Sequence, residues 1–385
     1  MLGSIRLGTN LIASLASVAL ILLVAFFGSV ARAQDAQMRE ASPGRALYVA
    51  SGFVSVFEKA KLGKSGVVNP NFAFRAGGVR SSIMSVAFDS AGTMWASISQ
   101  GGGYSGYLAA LKRTSLRRLR QKGKAPFDVL IGPTNQYEYQ LYAPRQIQFD
   151  PSGNLWVLVD GSGTPSLTNI VEYSADQLAT NGDPTPATLL TVSGPCASTK
   201  CLVVNMKLDA DGNLWVAAIV GAFGENAELM KFSRAQLSAG GSLELAPDFT
   251  IIALSSAQYL TNLTFTFDST GDLWLGRSYS LAPDVVMYPS AQLTGNGTIS
   301  AYPAVVLSPI ILHKRRSISS PESLAFDDKN DLWVSGENNR GTLAEFAPTQ
   351  LTADGAPNPT AFVYSNTKVT NLGFPALLSF GPLLP

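Results

Sequence analysis

All five tryptophans of this chain fall at one repeated position. Trp95, Trp156, Trp215, Trp274 and Trp333 are separated by 61, 59, 59 and 59 residues. Each closes the same phrase: FDSAGTMW, FDPSGNLW, LDADGNLW, FDSTGDLW and FDDKNDLW. Self-similarity at a fixed, long period marks a chain built from copies of one supersecondary unit, each burying its apolar face against its neighbours.

Each copy reads as four strands. Around Trp156, Ile147–Phe149 alternates apolar and polar, and Asp150–Asn154 has the composition of a hairpin turn. The runs Leu155–Val159, Ile170–Tyr173 and Ala187–Val192 supply three more strands. Four antiparallel strands recurring several times form a β-propeller. The turn chemistry agrees. Its first Asp can accept hydrogen bonds from the backbone N–H groups that follow, and Gly92, Gly153, Gly212 and Gly271 supply positive φ. The fifth copy replaces that glycine by Asn330, the next best residue for a left-handed conformation.

A second phrase follows the third strand: EYSADQL, KFSRAQL, MYPSAQL and EFAPTQL. Ser174 with Gln177 and Ser233 with Gln236 have capping-box spacing, and Pro348 suits the first position of a helical turn. The series Gln177, Gln236, Gln292 and Gln350 is therefore expected to cap short turns between strands three and four, with a ring of binding groups as the other reading.

The ends of the chain set the blade count. Ala46–Gly52 resembles Asp331–Gly336, which puts Tyr48 at the tryptophan position. The first strand missing there is found near the C-terminus, where PALLSF resembles PESLAF. The C-terminal strand is expected to complete the N-terminal blade and close a six-bladed ring with no free edge.

Residues 1–33 read as a signal peptide: Arg6 in a basic start, an apolar run from Leu11 to Phe27, and Ala31-Arg32-Ala33 as a cleavage site. Residues 34–45 form an N-terminal extension and 46–385 the propeller. The expected location is periplasmic or extracellular, with no membrane contact after cleavage; an uncleaved anchor is the other reading. Of the 28 Lys and Arg residues, Arg6 and Arg32 leave with the signal, so 26 cations face 27 acidic groups. That balance gives no general attraction for nucleic acid. Cys196 and Cys201, in PCASTKC, are expected to form a local disulfide in an exported protein.

The phrase D-x-x-G-N-L-W-V, preceded by P-x-x-apolar-x-F, resembles the repeat of the NHL-repeat proteins and of the gluconolactonase/regucalcin group, both six-bladed. It is also similar to the repeat of the seven-bladed streptogramin lyases. In the gluconolactonase/regucalcin group, acids and Asn five residues before the turn Asp bind a divalent metal at the channel mouth. The equivalents here are Met84, Arg145, Val204, Leu263, Glu322 and Ala376. One glutamate among apolar residues and an arginine is a poor calcium site, because calcium takes six to eight oxygens. The lyase resemblance implies histidine chemistry, and His313 in IILHKRR is the one histidine. No catalytic residue and no metal ligand is assigned from the sequence.

What remains is an axial pocket with Arg145 and Glu322 on opposite blades, Met84 in its apolar lining and Asn205 as a further polar group. The expectation is a monomeric binding scaffold for a small ligand, glycan or protein, without cofactor. The alternative is a calcium-dependent lactonase or esterase using Glu322. A run of seven cations, Lys112, Arg113, Arg117, Arg118, Arg120, Lys122 and Lys124, is read onto the outer strands of blade two. There it would protect a sheet edge or dock to an anionic polymer.

Overall fold

The computed structural model describes residues 45–63, 65–75, 81–100, 105–122, 126–132, 143–159, 169–193, 201–221, 226–253, 260–279, 283–308, 311–312, 316–318, 320–337, 341–364, 372 and 377–383. The signal peptide, nearly all of the extension, Cys196, His313 and Ala376 lie outside these residues.

Six antiparallel sheets form the blades of a propeller. Their innermost strands are Leu377–Pro382, Ser81–Phe88, Pro144–Phe149, Cys201–Leu208, Leu260–Phe267 and Ser320–Phe326, for blades one to six. Each packs against the innermost strands of the blades before and after it, all the way round. The ring closes as expected: Leu377–Pro382 pairs antiparallel with Arg45–Ala50, which continues into Val54–Glu58 and Phe72–Phe74. Tyr48 lies opposite Ser379 as Trp95 lies opposite Ala87, so it does hold the tryptophan position.

The repeated phrase explains itself in the packing. The turn Asp accepts two backbone N–H bonds: Asp150 Oδ1 from Ser152 (2.8 Å) and Asn154 (2.9 Å). The same pair recurs at Asp209, Asp268 and Asp327. Asn330 has φ 63°, the left-handed value that its glycine counterparts adopt. The indoles of Trp156, Trp215 and Trp274 donate to the turn Asp of their own blade. Four of the six second-strand aromatics also pack on the phenylalanine just before the turn Asp of the next blade. Tyr48–Phe88, Trp95–Phe149, Trp215–Phe267 and Trp274–Phe326 have ring centroids 4.7, 6.3, 5.7 and 6.0 Å apart. Such aromatic pairs add about 0.5–1.5 kcal/mol each beyond their buried area. The Phe and Trp of one phrase thus serve two different seams.

Three of the four glutamines of the second phrase are structural; for the fourth, Gln292, the buried Oε1 has no hydrogen-bond partner among the described residues. Ser233 and Gln236 form a full capping box, and Gln177, Gln236 and Gln350 donate to the carbonyls of Thr185, Ala246 and Asn358 in the following linker. Those linkers then do something the repeat did not announce. Gly241–Leu245 pairs parallel with Thr188–Val192 of blade three, and Gly297–Ala301 pairs parallel with Phe249–Ala253 of blade four. Single bridges do the same elsewhere: Gly66 to Val363, Gly182 to Ile131 and Gly355 to Leu307. Five linkers therefore reach back and pair with the outermost strand of the preceding blade.

The sixth linker corrects the reading of the basic run. Residues Arg113–Lys122 form a ten-residue α-helix, not an outer strand. Leu116 and Leu119, three apart on one helical face, are buried against blades one and two. Arg and Leu are good helix formers. Asp128 holds the helix start, accepting from the Lys112 N–H (2.6 Å) and the Ser115 hydroxyl (2.9 Å). Lys112, Arg113, Arg117, Arg118 and Arg120 are exposed, and Arg120 lies 3.7 Å from Glu58 of blade one.

Candidate functional site

The innermost strand of each blade is a sheet edge, and its outward N–H and C=O groups need partners. Here side chains of the preceding blade supply them. The Ser85 hydroxyl accepts from Ile147 N–H (3.4 Å), and the Ser323 hydroxyl from Leu378 N–H (3.1 Å). Gln146 makes two bonds to Met206, donating to its carbonyl (2.8 Å) and accepting from its N–H (3.0 Å). Gln148 accepts from Leu208 N–H (3.0 Å). Asn205 donates to the Thr264 hydroxyl (3.3 Å), and the Asn262 amide to Glu322. Blades one and two are joined by backbone bonds between Gly52 and Ile83.

The residues singled out in the sequence are distributed over this ring. Met84, Arg145, Val204 and Glu322 each sit at an irregularity where the inner strand carries one residue more than its partner, and all four are half-buried. In blade five the irregularity falls two residues earlier, at Thr261, so Leu263 is paired opposite Arg277 and buried. Glu322 accepts from Asn262 and from the Ser320 hydroxyl (2.8 Å). Asn205 is 3% exposed, turned into the seam between blades four and five, and its Oδ1 has no partner among the described residues.

A cavity of about 240 Å³ lies on the axis. Its lining comes from the inner strands of five blades. Ser85, Gln146, Gln148, Ser323 and Ser379 give it polar groups, and Phe88, Phe149 and Phe380 are among its apolar ones. Lys207 of blade four is the one titratable side chain among its described lining residues. It keeps some solvent contact, yet protein surrounds it, and that desolvation lowers its pKa to about 8. The sequence signal for Lys207 is a count of two residues before the turn Asp, where the other blades carry Ala87, Gln148, Thr266, Ala325 and Ser379.

Among the described residues, one acidic group could hold a cation. Asp327, Asp331 and Glu345 of blade six place carboxylate oxygens within 4.8 Å of one another. In blade three the corresponding residues are Asp150, Asn154 and Glu172, and the Asn154 amide bridges the two acids at 3.0 and 2.9 Å. Asp331 replaces that bridging amide. All three blade-six acids have other partners as well.

No protein-family model matches the chain, and no curated protein matches it. Solved structures do. A protein of unknown function from Bacteroides caccae aligns over 88% of this chain and 99% of its own, with 12% identity and a TM-score of 0.52. The Dos1 propeller aligns over 86% and 75%, with 7% identity and a TM-score of 0.43. A protein of unknown function from Dyadobacter fermentans aligns over 81% and 94%, with 10% identity and a TM-score of 0.45. The likeness to the Bacteroides caccae protein is one of fold alone.

Proposed function

We propose that the protein is an exported, monomeric binding scaffold that takes a small polar ligand on the propeller axis. The observation that carries this reading is the axial cavity, lined from five blades whose inner strands are bonded to one another. A cavity held in this way is formed before the ligand arrives, so little ordering cost attends binding. Arg145 is the proposed contact for an anionic or polar group at the rim of the axial opening, Glu322 the residue that orients it and Met84 their apolar neighbour; all three stand outside the described lining of the cavity, and Asn205 is turned into the blade four–five seam. The likeness of the repeat to the NHL and gluconolactonase/regucalcin propellers supports kinship with them. Export and a Cys196–Cys201 disulfide belong to the same reading. Two alkylated thiols in protein isolated without reductant would remove the disulfide.

A melting-temperature screen of residues 34–385 tests the proposal, with calcium, chelator, lactones and sugars. A ligand of the native state must raise the melting temperature; no response to any small polar compound would overturn the reading. Arg145→Ala should weaken binding by roughly 1.5–3 kcal/mol, the scale of a hydrogen bond to a charged group. A lower melting temperature with binding intact would make Arg145 structural.

The second reading is a calcium-dependent lactonase or esterase. It is favoured by the Glu322–Asn262 contact, an acid and an Asn on adjacent inner strands. Calcium-dependent lactone turnover that disappears in Glu322→Gln would replace the scaffold by the enzyme.

A further inference from the structure

We propose that the axial cavity is a binding site for a small oxyanion, a carboxylate or phosphate group, whose charge is met by Lys207. The proposal rests on the axial-binding reading above and names its ligand class.

The argument begins with register. Lys207 lies opposite Trp215 as Gln148 lies opposite Trp156, so the two hold one position in adjacent blades. Gln148 uses its carbonyl oxygen to satisfy Leu208 N–H in the next blade. An ammonium has no acceptor and cannot make that link. Among the described residues, Lys207 has no hydrogen-bond or ion-pair partner for its side chain. The rest of the described lining carries hydroxyls, amides and apolar groups, and no carboxylate.

A largely desolvated, unpaired charge is unfavourable, and a counter-ion relieves it. Lys207 is still mostly protonated at neutral pH with a pKa of about 8, and a bound anion would raise that value. The hydroxyls of Ser85 and Ser379 and the amide of Gln148 are donors on the same cavity. A volume of about 240 Å³ corresponds to about eight waters at ~30 Å³ each. That is room for a small acid or phosphate group.

The test uses residues 34–385 with sodium phosphate and sodium acetate, each against chloride at constant ionic strength. At least one of the two should raise the melting temperature saturably. The same anion should slow acetylation of Lys207 by acetic anhydride at pH 8 by tenfold or more, read by peptide mass, and leave exposed lysines unaffected. Which anion acts distinguishes phosphate from carboxylate recognition. Lys207→Gln should abolish the saturable gain. The labelling arm needs no variant, so it decides the matter even if Lys207→Gln does not fold. Unchanged labelling of Lys207 under both anions, or a gain that survives in Lys207→Gln, would overturn the proposal. A lactone or sugar that stabilises wild type and Lys207→Gln equally would keep the scaffold reading and remove Lys207 from it.

Discussion

The inner and outer perimeters of this ring are held by different chemistry. Around the axis, side chains of one blade bond to the next: Ser85, Gln146, Gln148, Asn205, Asn262 and Ser323 each cross a seam. Around the rim, backbone pairs with backbone, through Gly241–Leu245, Gly297–Ala301 and three single bridges. The inner seams are specified by particular residues, so one substitution alters them. The outer seams accept almost any side chain. Lys207 shows the first case, since a cation in a glutamine's register leaves a seam bond unmade and charges a cavity. The basic helix shows the other case, a rim seam rebuilt with a different element.

The most severe test of the inner perimeter is deletion of residues 375–385. It removes Leu377–Pro382, opens the ring and exposes the edge of Arg45–Ala50. Aggregation or loss of the cooperative melting transition is expected; an unchanged melting temperature would mean that the closing strand is dispensable. On the rim, Leu116→Ala should cost about 2–5 kcal/mol, the range for truncating a buried leucine, measured by urea denaturation. Back at the axis, Gln146→Ala leaves both polar groups of Met206 unpaired and should cost about 1–3 kcal/mol. A loss no larger than that of Ser242→Ala, an exposed residue on the backbone-paired rim strand Gly241–Leu245, would erase the distinction between the perimeters.

The pH response of Lys207 sharpens it further. Below pH 8 its amine is protonated in both folded and unfolded chains. Between about 8 and the ordinary value of 10.5 the unfolded chain holds a proton that the folded one has shed. Stability from this group therefore rises with pH across that window. Lys207→Gln should lack the rise when unfolding midpoints at pH 7.5 and 9.5 are compared. The smallest effect belongs to Arg120→Ala, where the exposed pair with Glu58 contributes under about 1 kcal/mol. A larger loss would mean that the blade one–two seam is held by charge and not by Leu116 and Leu119.

This contrast also explains what could be read in advance. The turn Asp, the positive-φ glycines with Asn330, and the Trp and Phe pairs all have side-chain signatures, so the blades and their count were legible in the repeat. The closing strand was legible because PALLSF keeps the pattern of PESLAF. The rim strands were not, because backbone pairing leaves no mark on a sequence such as GSLEL or GTISA. The helix was missed because the cations drew attention from the three-residue spacing of Leu116 and Leu119. A count of five residues before the turn Asp found Arg145 and Glu322 but misplaced Leu263, because blade five shifts its irregularity to Thr261. The same count carried three residues further along the strand would have reached Lys207.

The closing strand also governs the order of events in folding. The Tyr48 hydroxyl donates to the carbonyl of Pro382, 334 residues away. Five blades can assemble from segments near in sequence, but the first cannot be completed until Leu377–Pro382 has been synthesised. Contacts of such long sequence separation form late and slowly. Until then Arg45–Ala50 is an open strand edge, exposed to pairing with other chains. The ring thus stays open until residues 377–382 have been made and have paired with Arg45–Ala50.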